Sequence, residues 1–252
     1  MSQPRTCLVT GAGRGIGREV AVRLATAGHR IALTARSEAQ LAETAALCVG
    51  PTLVVPADLT APGAVDEVFA QAEQAYGPVE ILIANAGVAP SAPLHRITDE
   101  QWQQVIDLNL TAPFRCLRRV VPAMVAAGWG RIVAIGSLAS RVGAPYIAAY
   151  AASKHGLLGL VRSAAAELAR TGVTVNAVCP AYVDTPMTDE SVRRIAAKTG
   201  RSEADARGFL EGQQPIGRLI TVAEVASAVL FCVDNGAVTG QGINVDGGAV
   251  QA

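Results

Sequence analysis

Tyr150 and Lys154 stand four positions apart in the run Tyr150-Ala151-Ala152-Ser153-Lys154. On a helix, positions i and i+4 share a face, so the ammonium can reach the phenol. A free phenol has a pKa of about 10, too high for a good base near neutrality. A nearby ammonium favours phenolate and lowers that value. A phenol tuned in this way gives a proton to a carbonyl oxygen, or takes one from an alcohol. Ser137 follows the apolar run 131–135. That is the carboxyl edge of a strand, where open α/β sheets bind ligands. Its hydroxyl can hold a substrate oxygen. Tyr-x-x-x-Lys alone is a frequent surface accident, so its surroundings must decide.

A second group of residues suits a dinucleotide. Thr10-Gly11-Ala12-Gly13-Arg14-Gly15-Ile16-Gly17 lies between a first strand and a first helix. Glycines there let the backbone approach a pyrophosphate, with a helix N-terminus behind it. The spacing G-x-G-x-x-G fails, because Ile16 takes its last glycine position; Gly11, Gly15 and Gly17 give the spacing that fits. A plain tight turn is the competing explanation. The acid that would hold a ribose 2′-hydroxyl is missing from the end of strand two, where Ala35 and Arg36 stand. Arginine favours a 2′-phosphate through charge-assisted hydrogen bonds, and Arg14 adds a second cation. NADP(H) is therefore expected in preference to NAD(H). Against this, Arg36 is also what an ordinary surface arginine beside a helix cap would look like.

The elements that must position these groups alternate. Strands are expected at 7–10, 31–35, 53–56, 81–84, 131–135, 173–178 and 242–245. Helices are expected at 18–27, from Ser37 onward, at 63–76, from Thr98 past Asn109 towards Met124, at 150–171 and at 224–233. Strand–helix alternation implies right-handed crossovers and one doubly wound parallel sheet of about seven strands, with helices on both faces. One domain over 1–252 follows from the length and the lack of a linker. Residues 184–217 have weak periodicity, and a loop region that long is usually functional.

Composition narrows the classes. The 252 residues are 50% hydrophobic with formal net charge zero, which argues against a nucleic-acid surface. The five cysteines are scattered without a C-x-x-C and read as small buried hydrophobes, consistent with a reducing cytoplasm. No signal peptide and no membrane span are expected. His29, His95 and His155 have no metal-ligand spacing. His29 reads as solvated, His155 as structural or interfacial, and His95 as an exposed loop residue near the cleft mouth. Trp102 reads as packed. Arg193, Arg194, Lys198, Arg201 and Arg207 would suit a phosphate-bearing acyl tail, but acids are mixed among them, which suits a solvated amphipathic lid better.

Taken together, these residues resemble the short-chain dehydrogenase/reductase family over essentially the whole chain. The family's T-G-x-x-x-G-x-G stands as Thr10 to Gly17, and its Asn-Ala-Gly as Asn85-Ala86-Gly87. The resemblance implies four catalytic residues: Asn109, Ser137, Tyr150 and Lys154. In it Ser137 polarises the carbonyl, Tyr150 is the acid or base, Lys154 lowers the tyrosine pKa and holds the nicotinamide ribose, and Asn109 supports a water. It implies cofactor contacts from Gly11, Arg14, Gly15, Ile16, Gly17, Arg36, Asp58, Leu59, Asn85, Ala86, Gly87, Pro180, Val183 and Thr185, with no metal. The run 244–248 resembles the family's C-terminal signature. One departure stands out: the usual Pro-Gly is Pro180-Ala181 here. The resemblance further implies a homotetramer with a helical lid near 186–215. The expected reaction is hydride transfer between NADP(H) and a ketone or secondary alcohol, most like a 3-oxoacyl thioester reductase or ketoreductase. An NAD-dependent alcohol, sugar or steroid dehydrogenase is the alternative. A silent dinucleotide-binding regulator and a methyltransferase are more distant ones.

Overall fold

The computed structural model describes residues 3–250. Met1, Ser2, Gln251 and Ala252, which the 1–252 reading includes, lie outside the described residues. Seven strands form one all-parallel sheet: β1 (Thr6–Thr10), β2 (Arg30–Ala35), β3 (Thr52–Pro56), β4 (Ile81–Ala84), β5 (Gly130–Ile135), β6 (Val173–Pro180) and β7 (Gly242–Val245). Their order is β3-β2-β1-β4-β5-β6-β7. The order reverses between β1 and β4, which opens a crevice at the carboxyl ends of those strands.

Alternation along each strand builds two apolar layers. Leu8, Leu82 and Ile132 point to one face, where they meet Phe69, Val120 and Leu157. Those three belong to α3 (Ala64–Tyr76), α5 (Ala112–Ala127) and α6 (Ala148–Leu168). Val9, Ile83 and Val133 point to the other face, against Val20, Leu41 and Val229. These come from α1 (Gly15–Thr26), α2 (Glu38–Leu47) and α9 (Val222–Asp234). Because both faces are covered, β1, β4 and β5 are buried throughout.

Start signals explain the helix positions. Ser37 caps α2 and Thr221 caps α9 with Glu224, as the capping-box spacing predicts. Helix α1 begins at Gly15, three residues before the expected start at 18. Its opening glycines carry little helix propensity and hide the boundary. The helix expected from Thr98 onward is α4 (Asp99–Ile106), a wide π turn (Asp107–Thr111) and α5 in sequence. Its C-terminus is Gly128, in the left-handed conformation at φ 65°.

Residues 184–217, weak in periodicity, are helical, as the resemblance implies for 186–215. They hold α7 (Pro186–Thr199) and α8 (Glu203–Gly212). Val192, Ala206, Leu210 and Leu219 form a small apolar cluster of their own there. Two expectations fail. His29 is buried, and its Nδ1 accepts from the Arg5 amide at 3.1 Å; burial holds its pKa below the ordinary value. Trp102 is 41% exposed on α4 instead of packed. Four cysteines are buried, Cys48 is partly so, and all five are free.

Candidate active site

The predicted residues gather where the sheet order reverses. A narrow cleft of about 100 Å³ is lined by Ile16, Asn85, Gly87, Ser137, Tyr150, Lys154, Pro180, Val183 and Thr185, among others. A larger groove of about 620 Å³ lies elsewhere, between the start of α3 and α5. The cleft is the one that holds the titratable constellation.

Ser137 follows β5 and opens a short 3-10 turn. Its Oγ accepts from the Ala139 amide at 3.1 Å, while Ser140 Oγ accepts from the Ser137 amide at 3.2 Å. The backbone is thus fixed and the serine O–H is left to donate. Tyr150 is the third residue of α6, and Lys154 lies one turn on. The Lys154 ammonium is buried and donates to the Ile135 carbonyl at 2.7 Å. It stands 5.8 Å from the centre of the Tyr150 ring.

The electrostatics depart from expectation. Burial pushes the Tyr150 phenol above its ordinary value, and the opposing influence is a hydrogen bond with the Ser137 hydroxyl. The lowering effect therefore comes from Ser137, while the expected donor of it, Lys154, is turned to Ile135. Desolvation pulls Lys154 down from 10.5 to about 8. The nearby Cys179 thiol is raised by its burial, so it stays protonated beneath the site.

Asn109 is fully buried within the π turn. Its Nδ2 donates to the Val88 carbonyl and to Ser153 Oγ, and its Oδ1 accepts from the Val88 amide. Both amide hydrogens are used, so the side chain acts as a brace and has no free donor for a water. A Cβ on Gly87 would sit 3.1 Å from Asn109 Oδ1, which is why that position has no side chain.

The glycine loop forms a cradle. Gly11 and Gly15 take left-handed conformations at φ 62° and 57°, which a side chain resists. A Cβ on Gly17 would fall 2.3 Å from the Gly11 carbonyl oxygen. No side chain caps α1, so its first amides remain available to an anion. Asn85 lines the cleft, but its Nδ2 donates to the Thr10 and Gly11 carbonyls at 2.9 and 3.0 Å. Thr10 Oγ1 accepts from the Asn85 and Ala86 amides. Thr10 and Asn85 thus lock the end of β1 to the end of β4.

Arg36 is exposed at the end of β2 and has no ion-pair partner among the described residues. Asp58 accepts from the Thr60 amide and hydroxyl, which hold its carboxyl below the ordinary value, with Arg36 contributing. Leu59 beside it is buried. Arg14 is occupied: its Nη1 lies 3.1 Å from Glu190 on α7. Val183 pairs with Ile220, and Thr185 caps α7. Ala181 does not need glycine's freedom, since Tyr146 is the one non-glycine residue with positive φ among the described residues. An open cradle, uncapped amides and a free arginine fit a phosphorylated nicotinamide dinucleotide.

Sequence reasoning missed Val88 and Ser153, the partners of Asn109, and Met187 and Thr188 on the cleft wall. Nothing in residue type marks them. Thr10 was visible as the first letter of the glycine motif.

A short chain dehydrogenase pattern matches residues 5–196. The chain is 40% identical to a 3-oxoacyl acyl-carrier-protein reductase of Mycobacterium avium, over 97% of this chain and 89% of the relative. It is 37% identical to a D-beta-hydroxybutyrate dehydrogenase of Rhizobium meliloti, over 97% and 98%. Its fold is similar to a crystal structure of a variant actinorhodin polyketide ketoreductase with NADPH, with a TM-score of 0.94, 36% identity and 99% of each chain covered.

Proposed function

Because the chain belongs to the short-chain dehydrogenase family, we propose that it reduces a ketone to a secondary alcohol with NADP(H), and that the ketone is a 3-oxoacyl thioester or a close relative. The observation that carries this is the meeting of Ser137, Tyr150 and Lys154 in one cleft with the glycine cradle. The bound nicotinamide supplies the hydride. Ser137 donates to the carbonyl oxygen and holds it beside Tyr150. Tyr150 gives its proton to that oxygen as negative charge develops. Its raised pKa keeps it protonated at neutral pH, which suits reduction. Lys154 then lies close enough to stabilise the phenolate left behind. Asn109 positions these groups by bracing Val88. Gly11, Gly15, Ile16, Gly17 and the first amides of α1 receive the pyrophosphate, with Arg14 and Arg36 at the 2′-phosphate. Asp58 and Leu59 border the adenine. Asn85, Ala86, Gly87, Pro180, Val183 and Thr185 border the nicotinamide half.

The names of the relatives support the substrate class. A 3-oxoacyl group and a beta-hydroxybutyrate both carry oxygen at the β position of an acyl chain. The same reading takes α7 and α8 as the substrate lid of a single domain, in a cytoplasmic homotetramer. Exposed Phe114 and Val125 on α5 support assembly. No helix among the described residues is long and apolar enough to cross a membrane. The test is NADPH oxidation over 3-oxoacyl thioesters, β-keto esters, cyclic ketones and quinones, with NADH in parallel. Turnover confined to cyclic ketones or quinones would refute the acyl substrate. Higher kcat/KM with NADH would refute the cofactor.

A further inference from the structure

Arg14 and Glu190 are 176 positions apart and meet at 3.1 Å. Arg14 sits in the loop after β1, and Glu190 sits near the start of α7. The pair closes over a place where the two walls already touch: a Cβ on Gly15 would lie 3.3 Å from Thr185 Cγ2. Among the described residues it is the one ion pair that joins α7 or α8 to the phosphate loop. Arg207 has a separate task. It holds Asp184, Asp189 and Glu211, all within the lid and its root, so the lid stays fastened without Glu190.

Both members of the Arg14–Glu190 pair are about half exposed, at 47% and 49%. Such a pair is weak and easily exchanged. Its geometry has a consequence for the cofactor. Glu190 already occupies a guanidinium that stands at the mouth of the cradle, and its negative charge opposes a second anion arriving there. A cofactor without a 2′-phosphate leaves the pair alone. One with a 2′-phosphate must share the guanidinium with the carboxylate or displace it.

We propose that Glu190 is a specificity-determining residue that sets the discrimination between NADP(H) and NAD(H) by competing for Arg14. This rests on the reading of Arg14 as a 2′-phosphate contact. Glu190 acts as a built-in stand-in for that phosphate and moderates the preference for NADP(H).

The test is equilibrium binding of NADPH and NADH, followed by cofactor fluorescence, in wild type, Glu190→Gln, Arg14→Gln and the double variant. Glu190→Gln should tighten NADPH about two- to fivefold, the range of a released surface pair, and leave NADH unchanged. The gain should shrink as salt rises. Arg14→Gln should weaken NADPH, and Glu190→Gln should add nothing on that background. Equal shifts for both cofactors, or a gain that persists without Arg14, would overturn the proposal. A wild type without NADPH preference defeats the cofactor reading and this proposal together. A preserved preference that Arg14→Gln reduces but Glu190→Gln leaves alone defeats the proposal and spares the reading.

Discussion

Asn109 grips both polar groups of Val88. Its Oδ1 accepts from the Val88 amide at 2.9 Å, and its Nδ2 donates to the Val88 carbonyl at 2.9 Å. Val88 follows Gly87 on the cleft wall, so this pair of hydrogen bonds fixes the segment after β4 that borders Lys154. Replacing Asn109 with Ala strands an amide, a carbonyl and the Ser153 hydroxyl contact in a buried setting. Each such loss costs about 1–3 kcal/mol. Chemical denaturation of Asn109→Ala should show a loss of about 3 kcal/mol or more, with turnover falling too. A stability within about 0.5 kcal/mol of wild type would mean that the brace carries no strain.

Tyr150→Phe removes the proton donor and little volume. Turnover should fall by on the order of a hundred- to ten-thousandfold, while NADPH affinity stays within about twofold. Burial keeps the phenol protonated, so reduction by the wild type should persist through neutral pH. Alcohol oxidation needs phenolate and should climb on the alkaline side. Initial rates in both directions across pH test this. Wild-type turnover in Tyr150→Phe would remove the tyrosine from the chemistry.

Lys154 trades stability for function. Its pKa is pulled down from 10.5 to about 8 by desolvation. Between those values the unfolded chain binds more protons than the native one, so stability should rise with pH from about 8. Above about 10 the raised Tyr150 acts in the opposite sense. At pH 7 the buried charge costs on the order of 3 kcal/mol. Lys154→Met should therefore abolish turnover yet raise Tm, and flatten the rise in stability above pH 8. A lower Tm in that variant would show that the bond to Ile135 outweighs desolvation.

Arg36 is exposed and has no carboxylate partner among the described residues, and it lies close enough to Asp58 to lower that carboxyl. Arg36→Asp should weaken NADPH about tenfold or more, the worth of a charged hydrogen bond. NADH binding should hold or improve. Isothermal titration with both cofactors measures it. An unchanged ratio would place the phosphate contact elsewhere.

The sheet was legible because its strands are short apolar runs, several of them closed by glycine or proline, as at Gly11, Pro56, Gly136 and Pro180. Residues 81–84 could be read to the residue. Ser137 and Tyr150 could be placed in the cleft because their residue types suit the proposed proton transfer. Other features were hidden for physical reasons. The π turn at Asn109 adds one residue to a helix and leaves composition unchanged. Helix α7 buries little beyond Thr188 and Val192, so its periodicity is faint. The direction in which Tyr150 titrates depends on burial, which no spacing reports. Nor does a sequence show that Arg14 has a partner 176 positions away.

The private cluster of Val192, Ala206, Leu210 and Leu219 makes residues 186–212, sealed by Leu219, a cassette. It is rooted beside the cleft, where Met187 and Thr188 line the wall, yet its cluster is separate from the two layers against the sheet. Exchange of this stretch would therefore alter the cleft wall at Met187 and Thr188, and Glu190 with it, while Ser137, Tyr150 and Lys154 stay in place. One scaffold can be re-addressed to new substrates by editing a tenth of its length, without solving the folding problem again.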